Sequence, residues 1–441
     1  MIKNKNLYYD GCWQNALSNE VRTIHNPFDN QPLATVAEGN REDAKKAIQS
    51  ARLAFNSGEW GKFSAVERGR MVCLLGDLIQ KNKEELARLE TLNTGKTYAE
   101  SIWDMDDIAG IFRYYGGLAD KNEGEIIASP NPSSKSQLVK EPIGVVGMIC
   151  PWNYPLLQAA WKIAPALAAG CTMVIKPSEF TPLTTLFWTQ LAEQAGFPKG
   201  VINTVLGPGH SLGAELSENV EVDMISFTGG VVTGKKIMQA AAGNVKKVAL
   251  ELGGKNPHIL FKDGDWETAI NFILNGVFFH AGQICSAGTR LMVDESIHDQ
   301  VVKHLEQKIK KIRLGNGMDE QTQMGPLISK AQLEKVSNHV QNAIEEGAEL
   351  ITGGKKPSDP KLANGFFYEP TLLVGCTKEM AIVKEEIFGP VIHIEKFKSE
   401  EEAISNANDT IYGLSAGFWT NDAQRIDRVS KALRFGTVWV N

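Results

Sequence analysis

The sequence lacks the features that mark several classes of protein. Its first ten residues contain no apolar core of a signal peptide, and no run approaches the roughly 18 apolar residues of a membrane span. There is no stripe of basic residues with interleaved aromatics, and the formal net charge of −6 does not favour nucleic acid as a partner. The six cysteines are scattered, without Cys-x-x-Cys pairs or metal-ligand spacing. These absences predict a cytoplasmic protein with reduced thiols and with neither membrane nor nucleic acid as a partner.

The pattern of apolar residues predicts how the chain is organised. With 441 residues the chain is too long for one simple core, so we expect two or three domains. Helical spacing of apolar residues extends over residues 41–55, 64–93 and 96–117, and a stretch rich in Gly, Ser, Pro and Asn follows at 122–137. From residue 141 onwards, short apolar runs alternate with helical segments, which predicts doubly wound parallel sheets.

The predicted strands and the helices between them fall into two series. In the first series the strands lie at 145–150, 172–176, 201–206 and 224–227, and the helices at about 156–169, 181–195 and 212–219. In the second the strands lie at 257–261, 290–293, 368–374 and 390–397, and the helices at 266–281, 297–314 and 330–346. The predicted fold class is α/β, with two doubly wound, Rossmann-like domains. The segment 434–441 is strand-like and has no cap or turn, so we expect the chain to stop short of a complete fold.

Two short motifs offer a carboxylate and a thiol. Glu251 precedes a Gly-Gly pair at 253–254, and Cys285 follows a Gly-Gln turn at 282–283. A thiol attacks as its thiolate, of which a cysteine near pH 7 holds only a few per cent, and a nearby carboxylate could accept the proton or activate a water. Together the motifs predict covalent catalysis at a carbonyl. Taken singly, a lone cysteine is more often core packing and a lone glutamate more often a solvated strand end.

Other segments have the character of a cofactor site, although the usual Gly-x-Gly-x-x-Gly fingerprint is absent. Small residues at 227–234 would let the backbone approach a pyrophosphate at a helix N-terminus. Lys176 and Glu179 could reach ribose hydroxyls, and a carboxylate there would repel the 2′-phosphate of NADP; the alternative is a solvated turn with a chance charge pair. Glu386 adds a carboxylate before an aromatic residue, or belongs to a charged surface segment. Asn153 could aim its side-chain N–H at an oxyanion, or simply cap the helix that follows.

Six motifs in this order resemble the NAD(P)-dependent aldehyde dehydrogenase superfamily. They are the segments 151–155, 176–179, 227–234, 251–255, 282–285 and 385–390, and the resemblance runs from about Tyr9 to Asn441. It implies an NAD-binding domain formed by residues 1–120 and 140–250, and a catalytic domain at 251–441. It also implies a small protruding hairpin at 121–139 that bridges subunits, so that the protein would be a homodimer or homotetramer.

The resemblance implies roles residue by residue. Cys285 matches the nucleophile, Glu251 the general base, and Asn153 the oxyanion hole together with the backbone N–H of Cys285. The implied sequence is attack of Cys285 on the aldehyde, hydride transfer from the hemithioacetal to the nicotinamide, and hydrolysis of the thioester by water that Glu251 activates. The implied cofactor is NAD in preference to NADP. The residues implied to contact it are Ile149, Cys150, Pro151, Trp152, Lys176, Pro177, Ser178, Glu179, Gly209, Phe227, Thr228, Gly229, Gly230, Thr233, Leu252, Glu386 and Phe388.

Within the superfamily the chain resembles the bacterial betaine aldehyde dehydrogenases, through the stretches 152–162 and 278–288. Tyr154 and Trp161 lie seven residues apart, two helical turns, and would share a helix face, and Phe279 precedes Cys285 by six. Together with Cys285 they would line a substrate site, because aromatic faces attract a trimethylammonium group. The alternative is ordinary core, or a funnel for any apolar aldehyde.

This resemblance implies oxidation of betaine aldehyde to the osmoprotectant glycine betaine. Two alternatives stay open: a broader ω-aminoaldehyde or semialdehyde dehydrogenase, and a truncated, non-catalytic NAD-binding form of the fold. Lys162 matches a residue of a proton relay, or is an exposed helix lysine. A monovalent cation such as K⁺ is implied near Asn93 and the backbone carbonyls of Ile24 and Phe180. The subgroup often has aspartate where Asn93 stands, and the loss of that charge weakens the expectation of a cation.

Overall fold

The protein folds into two compact units. The computed structural model describes residues 5–121 and 123–441. Residues 1–4, at the start of the predicted first domain, and Asn122, in the predicted hairpin segment, lie outside the described residues. The first unit comprises the described residues up to His25 with Pro32–Thr94 and Ala99–Glu251, and the second comprises Asn26–Gln31, Gly95–Tyr98 and Leu252–Asn441. The predicted domain limits stay a prediction.

The first unit is built on a seven-stranded sheet. Its strands and the small hairpins beside them are β1 (Leu7–Tyr9), β2 (Cys12–Gln14), β3 (Val21–His25), β4 (Pro32–Ala37), β5 (Glu125–Ile127), β6 (Ser136–Leu138), β7 (Val145–Ile149), β8 (Thr172–Lys176), β9 (Ile202–Thr204), β10 (Met224–Gly229) and β11 (Lys247–Leu252). The sheet order is β11-β10-β7-β8-β9-β1-β2. The strands from β10 to β9 are parallel, and β1 joins β9 antiparallel.

The helices of this unit cover the sheet. They are α1 (Arg41–Ser57), α2 (Ala65–Lys81), α3 (Lys83–Thr94), α4 (Tyr98–Leu118), α5 (Pro155–Ala169), α6 (Leu183–Gln194), α7 (Ala214–Glu218) and α8 (Val231–Ala241). All five residues of β8 are buried, as expected for a parallel strand with helices on both faces. α6 is buried at ten of its twelve positions, so it is a core helix rather than an amphipathic one.

Several predicted helix limits in this unit are wrong for local reasons. The predicted helix at 64–93 is two helices, because the chain breaks at Asn82, whose side chain donates to the Leu78 carbonyl at 2.7 Å. The predicted helix at 212–219 begins instead as a π turn at Gly209–Gly213 and is α-helical only over the five residues of α7.

The second unit repeats the architecture. Its strands are β12 (Pro257–Leu260), β13 (Arg290–Asp294), β14 (Glu349–Thr352), β15 (Thr371–Val374), β16 (Val391–Phe397), β17 (Ser415–Trp419) and β18 (Thr437–Val440), and its helices are α9 (Trp266–Phe278), α10 (His298–Ile309), α11 (Lys330–Glu345), α12 (Ala381–Lys384), α13 (Glu400–Asn408) and α14 (Ala423–Ala432). The sheet order is β14-β15-β16-β13-β12-β17-β18, and only β14 pairs antiparallel. The predicted helices at 266–281 and 297–314 end early, at Phe278 and Ile309.

The segment predicted as a hairpin forms one. β5 and β6 pair antiparallel, with Glu125 opposite Leu138 and Ile127 opposite Ser136. Every residue of both strands is exposed, including Ile126 at 85%. None of the helices in the described ranges is long and apolar enough to cross a bilayer.

Candidate active site

Cys285 lies on a loop whose backbone is strained. α9 ends at Phe278, and the next turn contains three successive residues with positive φ: His280 at 47°, Ala281 at 54° and Gly282 at 71°. Residues other than glycine rarely adopt this conformation, and such positions cluster at functional sites. Gly282 also lies against the 385–390 segment, because a Cβ at this position would be 2.2 Å from the Gly389 carbonyl oxygen.

Two buried amide side chains hold this loop from both sides. Gln283 donates to the His280 carbonyl at 3.1 Å and accepts from the Ile328 N–H at 2.9 Å. Asn256 donates to the carbonyls of Cys285 at 2.7 Å and Ala287 at 3.1 Å, and its oxygen accepts from the Ser415 N–H at 3.2 Å. The main chain around the half-buried thiol is therefore fixed by side-chain hydrogen bonds rather than by a helix or strand.

The Gly-Gly pair after Glu251 has a steric reason. A Cβ at Gly253 would lie 2.1 Å from Oε2 of Glu386, and one at Gly254 would lie 2.7 Å from the Cys285 carbonyl oxygen. The Gly254 N–H donates to Oε1 of Glu386 at 3.1 Å. Only glycines allow this close approach. The backbone at Gly253-Gly254 therefore contacts both the Glu386 carboxylate and the Cys285 loop.

The segment that carries Glu386 and Phe388 is anchored by α11. Lys335 donates to the Glu386 carbonyl at 2.9 Å, and Gln332 donates to the Phe388 carbonyl at 2.7 Å. Phe388 has a φ of 60°, a second strained position within this unit. Burial raises the pKa of Glu386, and the Gly254 N–H and nearby lysines oppose that rise. The alternative of a charged surface segment is wrong for Glu386, whose side chain is partly buried and hydrogen-bonded.

In the first unit, three predicted cofactor residues form a row across the sheet. Phe227 pairs with Ile149 between β10 and β7, and Ile149 pairs with Lys176 between β7 and β8. These are the last or near-last residues of parallel strands, so the loops that follow meet at the carboxyl edge of the sheet, where open α/β sheets bind ligands. The first of those loops carries buried Asn153, and the helix N-cap is its neighbour Tyr154 rather than Asn153.

The loop after β8 is tied to its neighbours by charge and hydrogen bonds. Nζ of Lys176 lies 3.3 Å from Oε2 of Glu179, and Oε1 of Glu179 accepts from the Gly209 N–H at 2.6 Å. The Thr181 hydroxyl donates to the Trp152 carbonyl at 3.0 Å. Burial lowers the pKa of Lys176, and the Glu179 carboxylate opposes that shift. Lys176 is almost fully buried, so the alternative of a solvated turn with a chance charge pair is wrong.

The turn after β10 leaves room at a helix N-terminus. Gly230 is the N-cap of α8 and brings no side chain to the first turn of that helix. Nothing lies within 4 Å of the position where its Cβ would be. The exposed Thr233 lies in the same first turn. Helix N-termini of this kind attract phosphate groups, so the predicted cofactor residues fit a dinucleotide.

Lys162 and Glu251 line a cavity of about 440 Å³ in the first unit together with aromatic side chains. It is lined by Ile111, Tyr114, Tyr115, Trp161, Lys162, Ser226, Ala249 and Glu251. Lys162 is only 7% exposed, so the alternative of an exposed helix lysine is wrong. Its Nζ donates to the Thr228 hydroxyl at 2.5 Å. That hydroxyl donates in turn to Oε1 of Gln158 at 3.2 Å. Burial lowers the pKa of Lys162, opposed by Cys150 and Glu251.

Comparison with known proteins decides the family. The model of the aldehyde dehydrogenase family matches residues 13–441. The chain belongs to the aldehyde dehydrogenase family. The superfamily assignment made from the sequence is therefore confirmed.

Individual relatives cover nearly the whole chain. A betaine aldehyde dehydrogenase of Bacillus subtilis (strain 168) is 59% identical over 438 residues, 99% of this chain and 89% of the relative. A peroxisomal aminoaldehyde dehydrogenase 2 of Pisum sativum is 42% identical over 446 residues, 100% of this chain and 88% of the relative. A crystal structure of betaine aldehyde dehydrogenase from Staphylococcus aureus in complex with NAD⁺ is 51% identical with a TM-score of 0.98, and covers 99% of this chain and 87% of that chain. The predicted α/β fold class is confirmed.

Four of the other cysteines of this aldehyde dehydrogenase have thiols whose pKa is raised by burial. All six cysteines lie in the described part of the chain and are thiols. Burial raises the pKa of Cys150 to about 11 and that of Cys376 to about 12. Burial also raises the pKa of Cys73 and Cys171. Since the thiolate is the nucleophile, these four positions are poorly suited to attack at neutral pH.

The predicted substrate aromatics lie in different places. Trp161 lines the first-unit cavity and is 49% exposed. Tyr154 is the N-cap before α5, and Trp161 lies within that helix. The prediction that the two share a helix face needs both residues to be helical, so it does not apply to this pair. Phe279 belongs to the second unit, where it lines an apolar cavity of about 480 Å³ with Ile284 and Ser286, the neighbours of Cys285.

Sequence reasoning missed three site residues of the aldehyde dehydrogenase. Tyr114 and Tyr115, whose rings meet edge to face at 5.2 Å, line the cavity with Trp161. Their signal was a pair of tyrosines at the end of a predicted helix. Asn256 holds the Cys285 carbonyl, and an asparagine before a strand looks like a turn residue. Among the residues that the structure describes, no group of three or more His, Cys, Asp or Glu side chains is placed to hold a metal ion.

Proposed function

We propose that the protein oxidises betaine aldehyde to glycine betaine, with NAD as the acceptor of the hydride. The names of the Bacillus subtilis and Staphylococcus aureus relatives, and the NAD⁺ bound in the latter, support the substrate and the cofactor. The observation in this chain that carries the proposal is the first-unit cavity, which Trp161, Tyr114 and Tyr115 line together with Glu251. Aromatic faces attract a quaternary ammonium by about 0.5–2 kcal/mol per contact, and a carboxylate adds Coulomb attraction.

Cys285 is the proposed nucleophile. Its thiolate sulfur forms a bond to the aldehyde carbon, the carbonyl π bond breaks, and the oxygen takes the negative charge. The Asn153 side chain and the Cys285 backbone N–H are the proposed donors to that oxygen. Bonds from Asn256 and Gln283 keep the loop fixed, so donors and sulfur need little reorganisation during the reaction. NAD, when bound, accepts the hydride that leaves the tetrahedral carbon.

Glu251 is the proposed base for the second half of the reaction. It removes a proton from the water that attacks the thioester, so the carbon–sulfur bond breaks and the acid leaves. Lys162 lines the same cavity, and burial lowers the pKa of its amine. The Thr228 hydroxyl accepts from the amine, and Gln158 in turn accepts from that hydroxyl. We therefore propose Lys162 as a proton relay.

The residues at the edge of the first sheet are the proposed NAD site. The open N-terminus of α8 at Gly230 suits the pyrophosphate, and the Lys176–Glu179 pair suits the adenosine ribose. Because Glu179 is a carboxylate fixed by the Gly209 N–H, it would repel the 2′-phosphate of NADP. We expect a higher kcat/KM with NAD than with NADP, and a preference for NADP would contradict this placement of Glu179.

A broader ω-aminoaldehyde dehydrogenase is the second candidate, because the Pisum sativum relative is an aminoaldehyde dehydrogenase. The same cavity would accept a protonated amine, since its carboxylate and aromatic faces attract any small cation. Steady-state NADH production with betaine aldehyde, 4-aminobutyraldehyde and succinic semialdehyde separates the candidates. We expect the highest kcat/KM with betaine aldehyde. Equal rates with anionic succinic semialdehyde would contradict both, and a preference for aminobutyraldehyde would favour the second.

We also propose a cytoplasmic homo-oligomer, dimer or tetramer. Ile126, Ile127, Leu138 and Val139, on or next to the β5–β6 hairpin, are exposed apolar residues. Exposed apolar patches often mark protein–protein interfaces, which supports an interface between subunits here. Six cysteines without a disulfide support a reducing compartment.

A further inference from the structure

Asn93 joins two elements of the first unit through both ends of its amide. It lies near the end of α3 and is 1% exposed. Its Nδ2 donates to the Phe180 carbonyl at 2.9 Å, and its Oδ1 accepts from the Leu183 N–H at 3.2 Å. Leu183 is the first residue of α6, whose N-cap, Pro182, makes no side-chain capping bond. The Asn93 oxygen therefore caps α6 from another helix.

The orientation of this amide is fixed by its partners. The Leu183 N–H is a donor, so the atom facing it must be the amide oxygen. The Phe180 carbonyl is an acceptor, so the atom facing it must be the amide nitrogen. A flipped amide would put donor against donor and acceptor against acceptor, and would lose both bonds in a buried site.

An aspartate at this position would behave differently. One carboxylate oxygen could accept from the Leu183 N–H, but the other would face the Phe180 carbonyl oxygen at about the 2.9 Å that now separates nitrogen and oxygen. Two acceptors at that distance repel, and a charge buried there costs stability unless it is compensated. A monovalent cation between the two oxygens would remove both problems, because oxygen ligands suit such ions.

We infer that the Asn93 amide replaces this cation: its N–H occupies the position beside the Phe180 carbonyl, so the chain needs no K⁺ there. The predicted cation site at Ile24, Asn93 and Phe180 does not fit this chain, because the amide presents a donor where a ligand oxygen is required. Asn93 is thus a positioning residue for the segment from Phe180 to Leu183. A second contact supports the same junction, since the Thr184 hydroxyl donates to Oε2 of Glu90 at 2.6 Å.

The test is the thermal unfolding of the full chain in chloride salts of K⁺ and of N-methylglucamine at equal ionic strength. The unmodified protein is expected to unfold at the same temperature in both. Asn93→Asp is expected to lose several degrees in N-methylglucamine and to regain most of them when K⁺ is titrated in. Asn93→Ala, which loses both hydrogen bonds and adds no charge, is expected to be destabilised equally in the two salts.

Asn82→Asp is the matched control. Asn82 also donates from a helix end to a carbonyl, that of Leu78, but it is only partly buried and this side-chain bond stays within the end of α2. Its aspartate variant is expected to show no K⁺ dependence. A higher unfolding temperature of the unmodified protein in K⁺ would overturn the inference, whether or not the Asn93→Asp variant folds. So would an Asn93→Asp variant that loses the same number of degrees in both salts.

Discussion

Lys255 shows how strongly burial acts on a single residue near the Cys285 loop. Its side chain is 1% exposed, and its Nζ has no hydrogen-bond partner among the described residues. Burial, helped by the charge of Arg290, lowers its pKa from 10.5 to about 7, against the opposing effects of nearby acidic groups. A buried amine without a partner costs stability whenever it is charged.

We expect Lys255→Met to stabilise the protein at neutral pH and below. Below about pH 7 the amine is protonated in both states, and the full cost of burying the charge is present. Between about pH 7 and 10.5 only the unfolded chain holds the proton, so the stability of the unmodified protein rises with pH and the gain from methionine shrinks. The gain should be on the order of a few kcal/mol near pH 7. Urea unfolding across this pH range measures it.

The exposed Lys262 provides the control for that experiment. Lys262→Met removes the same charge from a solvated position and should leave the pH dependence unchanged. A Lys255→Met variant that is less stable than the unmodified protein at neutral pH would show that the amine has a hydrogen-bonding role in the folded state.

Candidate roles can be proposed from the sequence where a motif carries chemistry, and not where a residue acts only through tertiary contacts. Cys285, Glu251 and Lys162 belong to recognisable segments. Asn256 does not, because its role depends on the Cys285 carbonyl, 29 residues away. Tyr115 of α4 lines the same cavity as Trp161 of α5. The two helices are far apart in sequence, so no local pattern predicts that they meet.

Among the secondary-structure elements, the turn between α9 and Cys285 is strongly constrained, with three successive positive φ values. We expect Gly282→Ala to destabilise the protein by at least about 1–3 kcal/mol and to reduce kcat, because φ is 71° and the new Cβ would lie 2.2 Å from the Gly389 oxygen. Thermal unfolding and steady-state rates measure the two effects.

Gly276→Ala is the matched control within α9. Nothing lies within 4 Å of a Cβ at this position, and alanine favours the helix by about 0.5–1 kcal/mol over glycine. This variant should be at least as stable as the unmodified protein. Equal effects of the two substitutions would contradict the assignment of strain to the Gly282 turn.

The elements themselves were predicted best where the core enforces a pattern. β8 was predicted at its observed limits because all its residues are apolar or buried. β14 and β17 were missed, since β14 is an exposed edge strand and β17 begins with the small residues Ser415-Ala416-Gly417. The break at Asn82 was missed because apolar spacing continues across it.

At the scale of the whole molecule, the β5–β6 hairpin is the proposed interface between subunits. Ile126→Glu should reduce the molar mass measured by size-exclusion chromatography with light scattering, because a charge would replace an apolar side chain at the interface. Ile411→Glu is the control, since Ile411 is 83% exposed in the second unit and its change should leave the mass unchanged. An unchanged mass for both variants would exclude the hairpin as the interface.

The division into units was only partly visible in the sequence. The change from one α/β series to the next marks the boundary after Glu251. The short segments 26–31 and 95–98 group with the second unit through contacts such as that of the Phe366 N–H with the Pro27 carbonyl at 3.2 Å. Such long-range pairing leaves no signal in local composition.

The central claim is that oxidation passes through a covalent adduct on Cys285 that Glu251 helps to hydrolyse. With Glu251→Gln, removal of the base should slow steady-state turnover by about 10²–10⁴-fold. Attack by the thiol does not need that base once a thiolate has formed, so a rapid burst of NADH should precede the slow phase. Cys285→Ala should give no NADH at all while still binding NAD.

Mass spectrometry of the Glu251→Gln protein after mixing with NAD and betaine aldehyde tests this claim most directly. We expect an acyl group on Cys285 and on none of the other five cysteines. Burial raises the pKa of Cys150 to about 11, so its thiolate is disfavoured at neutral pH. An acyl group on Cys150 or Cys12, or a burst of NADH without any acyl-enzyme, would contradict the claim.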